Sequence, residues 1–511
     1  MNTFFDQEDS FSKTLFLSFL FALAYAQSPL FSSNQNTYFL HGLAQSGQGF
    51  LKGDWMAKSA DPFPLFSFLV EQSSSFLPTF FFHIYYLVLL VIFMMSALGI
   101  AVEVWSFRHA KSVFAYFLLI TALFSLLFSF ASSNLLGFDL SHLFQNGLAH
   151  QYLLGRVFQP SSFGVFLLLS IYLFLKKKHV WSILALAVAV NFHATYLLSA
   201  AVLTLAYLLI LFKEKRKKKA LAIGVLSLLL ALPSLIYSYA TFANQPQESI
   251  LAAQKILIDF RIPHHAKVEK WFGIVSLFKI SLILLAAFLV RKKREIYLIM
   301  AVPFSIALLL SLLQVVTQSY FLALLFPWRV SVVLVPLSVF VLGGALVERL
   351  SEHSSFQFLW GKNSNIAYLI LICIFVLSGV ISFFLQYKND TQRRGLLIEE
   401  EVARTKKPSS EYLIPPELER FRLGSKAAIF VDKKSHPYKA DEVRDWYKRL
   451  TLANRFYAEE NADCTFLEHL MDEKRLTHVV DERLLNCPFL ILTYSDSDFK
   501  LFEKRLDVRR Y

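Results

Sequence analysis

The sequence predicts a polytopic α-helical membrane protein of about eleven transmembrane helices, followed by a small C-terminal extracytoplasmic α/β domain. Three observations predict this. The 511 residues are 55% hydrophobic and include 52 phenylalanines, with a mean hydropathy of +0.48, which is the composition of a chain that lives in lipid. Eleven apolar runs punctuate the first three quarters of the chain. Beyond about residue 388 the pattern changes to a charged segment with short alternating patches.

The runs fall at 14–30, 79–105, 112–131, 157–175, 180–192, 195–212, 220–241, 272–290, 296–316, 328–347 and 366–386. A full crossing takes roughly 20 apolar residues, fewer where a helix ends inside protein. The pair 180–192 and 195–212 is short for two crossings. It reads as a tight hairpin turning at Asn191-Phe192-His193, or as one long helix with a re-entrant piece. The first run has a rival reading as a signal peptide closed by Ala24-Tyr25-Ala26. The acidic flank of Asp6, Glu8 and Asp9 and the continuation to Phe31 count against that reading.

Basic clusters at 176–178 (KKK), 213–219 (KEKRKKK) and 291–294 (RKKR) close successive runs. Cytoplasmic loops retain Lys and Arg, so these clusters predict a cytoplasmic N-terminus. Arg108, Lys111 and the 349–362 loop fall on the same side. Segments 31–78, 132–155, 242–270 and 317–327 then lie outside, as does the tail, in the periplasm-like space of a bacterial cytoplasmic membrane. The net charge of +13 does not indicate a nucleic-acid partner, because much of it sits in short loops where it orients helices and meets anionic lipid.

Two domains follow: 1–387 in the membrane and 388–511 outside. In the tail, 427–431 (AAIFV), 477–480 (THVV) and 489–493 (FLILT) read as buried strands, and 441–450 and 462–474 as amphipathic helices. Strands separated by helices predict a largely parallel sheet. There is no Gly-rich phosphate loop and no G-x-S-x-G. Three cysteines make neither a disulfide framework nor an evident zinc site. Cys464 and Cys487 share the tail and are able to pair in an oxidising compartment.

Candidate chemistry concentrates in the outside loop 31–78, where Asp54, Asp61 and Glu71 are the only acids. Asp54 or Asp61 at a membrane surface is able to act as a general base toward a hydroxyl, or to hold a divalent metal against a diphosphate. The alternative is structural, with Asp54 capping a helix and Asp61-Pro62 starting a turn. Arg156, Arg261 and Arg329 sit at outer ends of runs, where a charge needs a partner or a wet cavity. Guanidinium suits a lipid-linked phosphate; the alternative is snorkelling, or pairing with Asp139 or Asp259. His193 breaks an apolar run and reads either as a ligand group or as an interhelical hydrogen bond. His264 and His265 are adjacent, which suits a metal only with a third ligand nearby, and H-E-x-x-H is absent. His436 follows the first tail strand, where α/β sheets bind ligands, or simply marks a turn.

Gly53-Asp54-Trp55, Asn191-Phe192-His193-Ala194-Thr195-Tyr196, Arg261-Ile262-Pro263-His264-His265, Pro327-Trp328-Arg329 and Lys434-Ser435-His436-Pro437-Tyr438-Lys439 carry a resemblance. Together with the long outside loop and soluble tail, the chain resembles the GT-C superfamily of integral membrane glycosyltransferases, and more narrowly bacterial GT-C-like proteins of the DUF6798 type. The resemblance implies inverting transfer of a sugar from a polyprenyl-phosphate donor to an extracytoplasmic acceptor. It implies Asp54 or Asp61 as base or metal ligand, and Arg261 and Arg329 as phosphate partners, with His193, His264, His265 and Trp55 around the substrate. Many GT-C enzymes carry an acidic pair just after the first span, where this chain has Asn34-Gln35-Asn36; amides cannot act as a base. Two other functions compete. One is a non-catalytic cell-envelope assembly protein. The other is a lipid-linked saccharide transporter, which the lack of internal repeats disfavours.

Overall fold

The computed structural model describes residues 7–107, 110–353, 360–361 and 364–505. Asp6, invoked above against a signal peptide, and Arg108 and Lys362, invoked for orientation, lie outside the described residues. The chain is mostly helical, with one small sheet near its C-terminus. It divides into two compact units. The first comprises Met1–Gln27, Phe82–Tyr237 and Ile258–Leu385; the second comprises Ser28–Phe81, Ser238–Leu257 and Gln386–Tyr511. The loop 31–78 falls in the second unit with the tail.

Six helical segments are long and apolar enough to cross a membrane: Phe81–Trp105, Ala194–Lys213, Lys217–Ala243, Arg294–Thr317, Tyr320–Glu352 and Ser364–Asp390. A seventh forms if the pair Lys111–Phe124 and Leu126–Leu136, bent by 58°, counts as one span. The other four runs fold as shorter apolar helices, Phe11–Ala24, Pro160–Leu175, His179–Phe192 and Ile274–Leu289. The sequence count of eleven thus becomes six or seven by length, because apolar composition alone does not fix where a helix stops.

Local chemistry explains several of those stops. Gly137 ends the Leu126–Leu136 helix in the left-handed conformation (φ +78°), which lacks a steric penalty only for glycine. The predicted break at 191–193 is present: the His179–Phe192 helix ends at an extended His193 (φ −150°), and a 3-10 turn, Ala194–Tyr196, restarts the chain. Asn191 ties this break into the first unit by donating to Ala187 O (2.8 Å) and Leu230 O (3.0 Å).

The second unit carries a five-stranded sheet of β1 (Glu411–Leu413), β2 (Ala428–Ile429), β3 (His478–Asp481), β4 (Leu490–Ser495) and β5 (Lys500–Lys504), in the order β2-β1-β3-β5-β4. β2, β1 and β3 are parallel, as expected. β5 pairs antiparallel with both β3 and β4, so the sheet is mixed where a largely parallel one is predicted. The Ala440–Ala458 helix presents Val443, Trp446, Leu450, Ala453 and Phe456 to the core, an i, i+3, i+7 stripe typical of a helix laid on a sheet. The Cys464–Lys474 helix starts at Asp463, whose carboxylate accepts from Phe466 N (3.0 Å). Cys464 is disulfide-bonded to Cys487.

Candidate functional site

In the first unit, four separate stretches of sequence converge on one small cleft. Its lining includes Gln151, His265, Trp271, Gln314, Trp328 and Arg329. Arg329 arrives there on a backbone reversal. Phe326 adopts φ +47°, a conformation costing a non-glycine residue roughly 1–2 kcal/mol, and Pro327 then opens a 3-10 turn, Pro327–Val330.

The guanidinium is fixed on two sides. Its Nη2 lies 3.3 Å from His193 Nε2, and its carbon stands 5.1 Å over the Tyr196 ring. Arginine only donates, so His193 Nε2 accepts, and its Nδ1–H is left to donate to Thr195 Oγ1 at 2.8 Å. Tyr196 is held in turn by donating to Ser161 O (2.6 Å). A Cβ on Gly164 would stand 2.4 Å from the Tyr196 hydroxyl, so glycine there leaves room for the ring.

No carboxylate pairs with Arg329 among the described residues, and its Nε is buried without a hydrogen-bond partner. Asp259, considered above as its counterion, pairs with Lys267 (2.7 Å). Asp139 accepts from Ser129 and lies 3.5 Å from His142. An unneutralised guanidinium beside apolar helices calls for an anion.

Another part of the lining comes from irregular backbone around 146–151, tied down by side chains. Lys279 Nζ donates to Gly147 O (3.0 Å), Leu148 N donates to Ser331 Oγ (2.8 Å), and His265 Nδ1 donates to Ala149 O (2.7 Å). Non-helical backbone among apolar helices persists only where its polar groups are met in this way. Burial pushes the His265 imidazole down to about 4, against the help of the Ala149 carbonyl. The His264 ring lies 4.1 Å from that of His265, tilted by 51°. Arg261 closes a π-helical turn, Ile256–Arg261. Arg156 is exposed and lines a second cleft of about 230 Å³ with Tyr25, Ser125 and Gln145.

The acids of the 31–78 loop lie in the second unit and behave differently from one another. Asp54 is wholly buried. Its Oδ1 accepts from Met56 N (2.8 Å) and Ala57 N (3.3 Å), and its Oδ2 from Arg422 Nε (3.0 Å) and Ile429 N (3.0 Å). Arg422 also binds Asp432, and burial raises the Asp432 carboxyl above its ordinary range. Every oxygen position of Asp54 is thus taken by a donor, the work of a structural carboxylate. Asp61 is half-exposed and accepts from Phe63 N (2.9 Å); the turn expected at Asp61-Pro62 is present. Trp55 lies under Arg449, whose guanidinium carbon stands 4.7 Å from its ring. His436 is buried against Trp446 (5.9 Å between rings). Among the described residues, no group of three or more His, Cys, Asp and Glu side chains is placed to hold a metal ion.

The structure thus brings His193, His265 and Arg329 together, with His264 on His265, and sets Asp54, Asp61 and Trp55 in the other unit. Sequence reasoning singled out Trp328 within Pro327-Trp328-Arg329 without giving it a role, and missed Gln151, Gln314 and Trp271 on the cleft and Arg422 and Asp432 around Asp54. Gln314 had a signal, as a long polar side chain inside the apolar run 296–316. Arg422 had none.

The profile of a domain of unknown function, DUF6798, matches residues 400–453, a stretch running from before β1 into the Ala440–Ala458 helix. No curated protein matches the chain.

Proposed function

We propose that this protein is a GT-C-type membrane glycosyltransferase that holds a polyprenyl-phosphate-linked sugar through Arg329 and passes the sugar to an extracytoplasmic acceptor. One observation carries the reading: among the described residues no carboxylate pairs with Arg329, which His193 and Tyr196 fix at the edge of a cleft. A phosphodiester supplies the missing negative charge and accepts paired hydrogen bonds from the guanidinium fork. In inverting transfer, the acceptor hydroxyl loses its proton to a carboxylate as its oxygen bonds to the anomeric carbon. The bond from that carbon to the phosphate oxygen breaks, and polyprenyl phosphate leaves with the electron pair.

The basic clusters support a cytoplasmic N-terminus in a bacterial cytoplasmic membrane, with eleven crossings if the four shorter helices are counted. The Cys464–Cys487 disulfide supports an extracytoplasmic tail, because such bonds persist in oxidising compartments.

A non-catalytic envelope-assembly protein is the second reading, and the sealed state of Asp54 favours it. Purified protein in lipid nanodiscs, titrated with polyprenyl phosphate and polyprenyl-phosphate sugars, separates the two. Binding that falls at least tenfold in Arg329→Ala, together with transfer of the sugar by wild type, supports the transferase. Binding without turnover moves the assignment to assembly. No binding in wild type removes both the donor and the phosphate site.

A further inference from the structure

Three basic loops of the first unit are tied into one face. Lys177, on the loop after the Pro160–Leu175 helix, pairs with Glu214 (3.7 Å) on the second basic loop and with Glu295 beside the third. Lys176 pairs with Glu103 (2.6 Å), and Arg216 with Glu214 (3.5 Å). Those three acids are thereby taken. Lys178, Lys215, Lys217, Lys218 and Lys219 are exposed and, among the described residues, have no carboxylate partner. Two of the loops also turn alike. Lys177 and Lys215 are left-handed (φ +61° and +62°), and the next amide of each reaches back into its helix, Lys178 N to Leu173 O and Arg216 N to Leu211 O (both 2.9 Å). Glycine is favoured at such turns, so lysine holds both positions against backbone preference.

Most of these unpaired lysines stand where helices begin. Lys178 precedes the His179–Phe192 helix, and Lys217, Lys218 and Lys219 open the Lys217–Ala243 helix. The helix dipole opposes a cation at that end, while the free first-turn amides favour an anion. Each N-terminus is thus a seat for negative charge with its own lysines. His179 is within reach of both loops, since the charges of Lys177, Arg216 and Lys219 all act on it. It is 3% exposed, and both its ring nitrogens are buried without a hydrogen-bond partner. An unmet buried imidazole costs stability, and a phosphate oxygen supplies the acceptor that its N–H lacks.

Apolar side chains border this face. Trp181, Phe212, Leu221 and Phe288 are all exposed, each within three residues of a lysine or arginine of the clusters, and the Arg291 guanidinium carbon stands 3.9 Å over the Phe288 ring. Exposed indole and phenyl groups beside cations mark the depth of lipid headgroups, which favours a lipid over a soluble acidic protein. We infer that this face binds an anionic phospholipid whose headgroup carries two phosphates, one at each helix N-terminus, with Lys178 and Lys219 as the paired cations and His179 as a donor. This goes beyond the diffuse attraction of basic loops for anionic lipid. Two phosphates on a short linker match two seats on loops that Lys177 joins through Glu214, whereas a lipid with one phosphate fills one seat.

The test places the full-length protein in phosphatidylcholine nanodiscs that contain cardiolipin and phosphatidylglycerol at equal phosphate. Lipid retained on transfer to mild detergent is counted by native mass spectrometry. Wild type is expected to retain cardiolipin about tenfold over phosphatidylglycerol. The double variant Lys178→Gln/Lys219→Gln removes one cation from each seat and is expected to bring that ratio within about twofold. A second pair, Lys292→Gln/Arg294→Gln, removes the same charge from the third loop and is expected to keep the preference. All four side chains are exposed, so both variants are expected to fold. Equal retention of the two lipids by wild type overturns the inference. Equal loss in both double variants assigns retention to the diffuse charge of the face and overturns it too, as does an unchanged ratio in Lys178→Gln/Lys219→Gln. Wild type that retains neither lipid also overturns it and leaves the face to an acidic protein.

Discussion

Arg422 Nε donates to Asp54 Oδ2 across 3.0 Å, joining residues 368 apart in sequence with both side chains sealed from solvent (1% and 0% exposed). This ion pair, with Asp432 on the other edge of the guanidinium, is the polar centre of the second unit. It satisfies Ile429 N of β2 and fixes the Met56–Ala57 turn.

Four donors point at Asp54, so Asp54→Asn places an amide NH₂ against at least one of them. The expected cost is about 1–3 kcal/mol. Arg422→Met leaves two buried carboxylates without their cation and is expected to cost about 3–5 kcal/mol. The double variant should cost less than the sum, because both changes break the same bond. Thermal unfolding of the second unit, followed by limited proteolysis, reads all three. Additive costs would separate the two residues energetically.

Glu411, on β1, provides a pH dependence. Burial pushes its carboxyl from the ordinary 4.5 up to about 7, opposed by Arg449 at 4.0 Å. The folded state therefore prefers the protonated acid. The stabilisation is complete below the unfolded value near 4.5 and is lost as pH rises through about 7. Unfolding temperature measured from pH 5 to pH 8 should fall, and Glu411→Gln should flatten that slope. An unchanged slope in the variant would assign the dependence to other groups.

The Cys464–Cys487 bond closes a loop of 23 residues, and its removal is expected to destabilise the second unit by about 3 kcal/mol. A downward shift in unfolding on reduction checks the energy. Alkylation of whole cells before and after reduction checks the compartment. Cysteines that are freely alkylated without reductant would contradict an extracytoplasmic tail.

In the first unit, Gly164→Ala drives a methyl into the Tyr196 hydroxyl, which now donates to Ser161 O. Moving that ring strips Arg329 of its aromatic support. Affinity for polyprenyl phosphate is expected to drop by about tenfold, close to a cation–π contact of ~1 kcal/mol plus strain. Tyr196→Phe keeps the ring and should preserve most of the affinity. Loss of affinity in both variants would point to the hydroxyl instead.

What could be read from the sequence follows from the range of each interaction. The helix break at His193 is local, marked by a polar residue in an apolar run, and it appears where expected. The AAIFV, THVV and FLILT strands carry their own hydrophobic signal and are present, but only the first two are buried as expected: Ile491, Leu492 and Thr493 of β4 are exposed, because β4 is the edge strand of the sheet. β1 is three residues long, and β5, Lys-Leu-Phe-Glu-Lys, is flanked by charge, so neither stood out. Asp54 looked catalytic because it is a lone acid in a long loop. Only the folded chain shows that Arg422, in the unremarkable stretch Phe421–Ser425, had been its partner. The cleft was half legible: its charged members were visible as anomalies among apolar residues, whereas Gln151 and the two indoles lie in stretches where such residues are unexceptional.

The second unit is assembled from Ser28–Phe81, Ser238–Leu257 and Gln386–Tyr511, and this has a consequence for biosynthesis. At about 5–20 residues per second, the ribosome needs on the order of tens of seconds between making Asp54 and making Arg422. Throughout that interval the early segment carries an acid and an apolar surface whose partners do not yet exist. It has to be kept soluble, or shielded by another protein, while several hydrophobic helices are inserted. A nonsense mutation late in the gene would therefore damage not only the tail but also a segment translated hundreds of codons earlier.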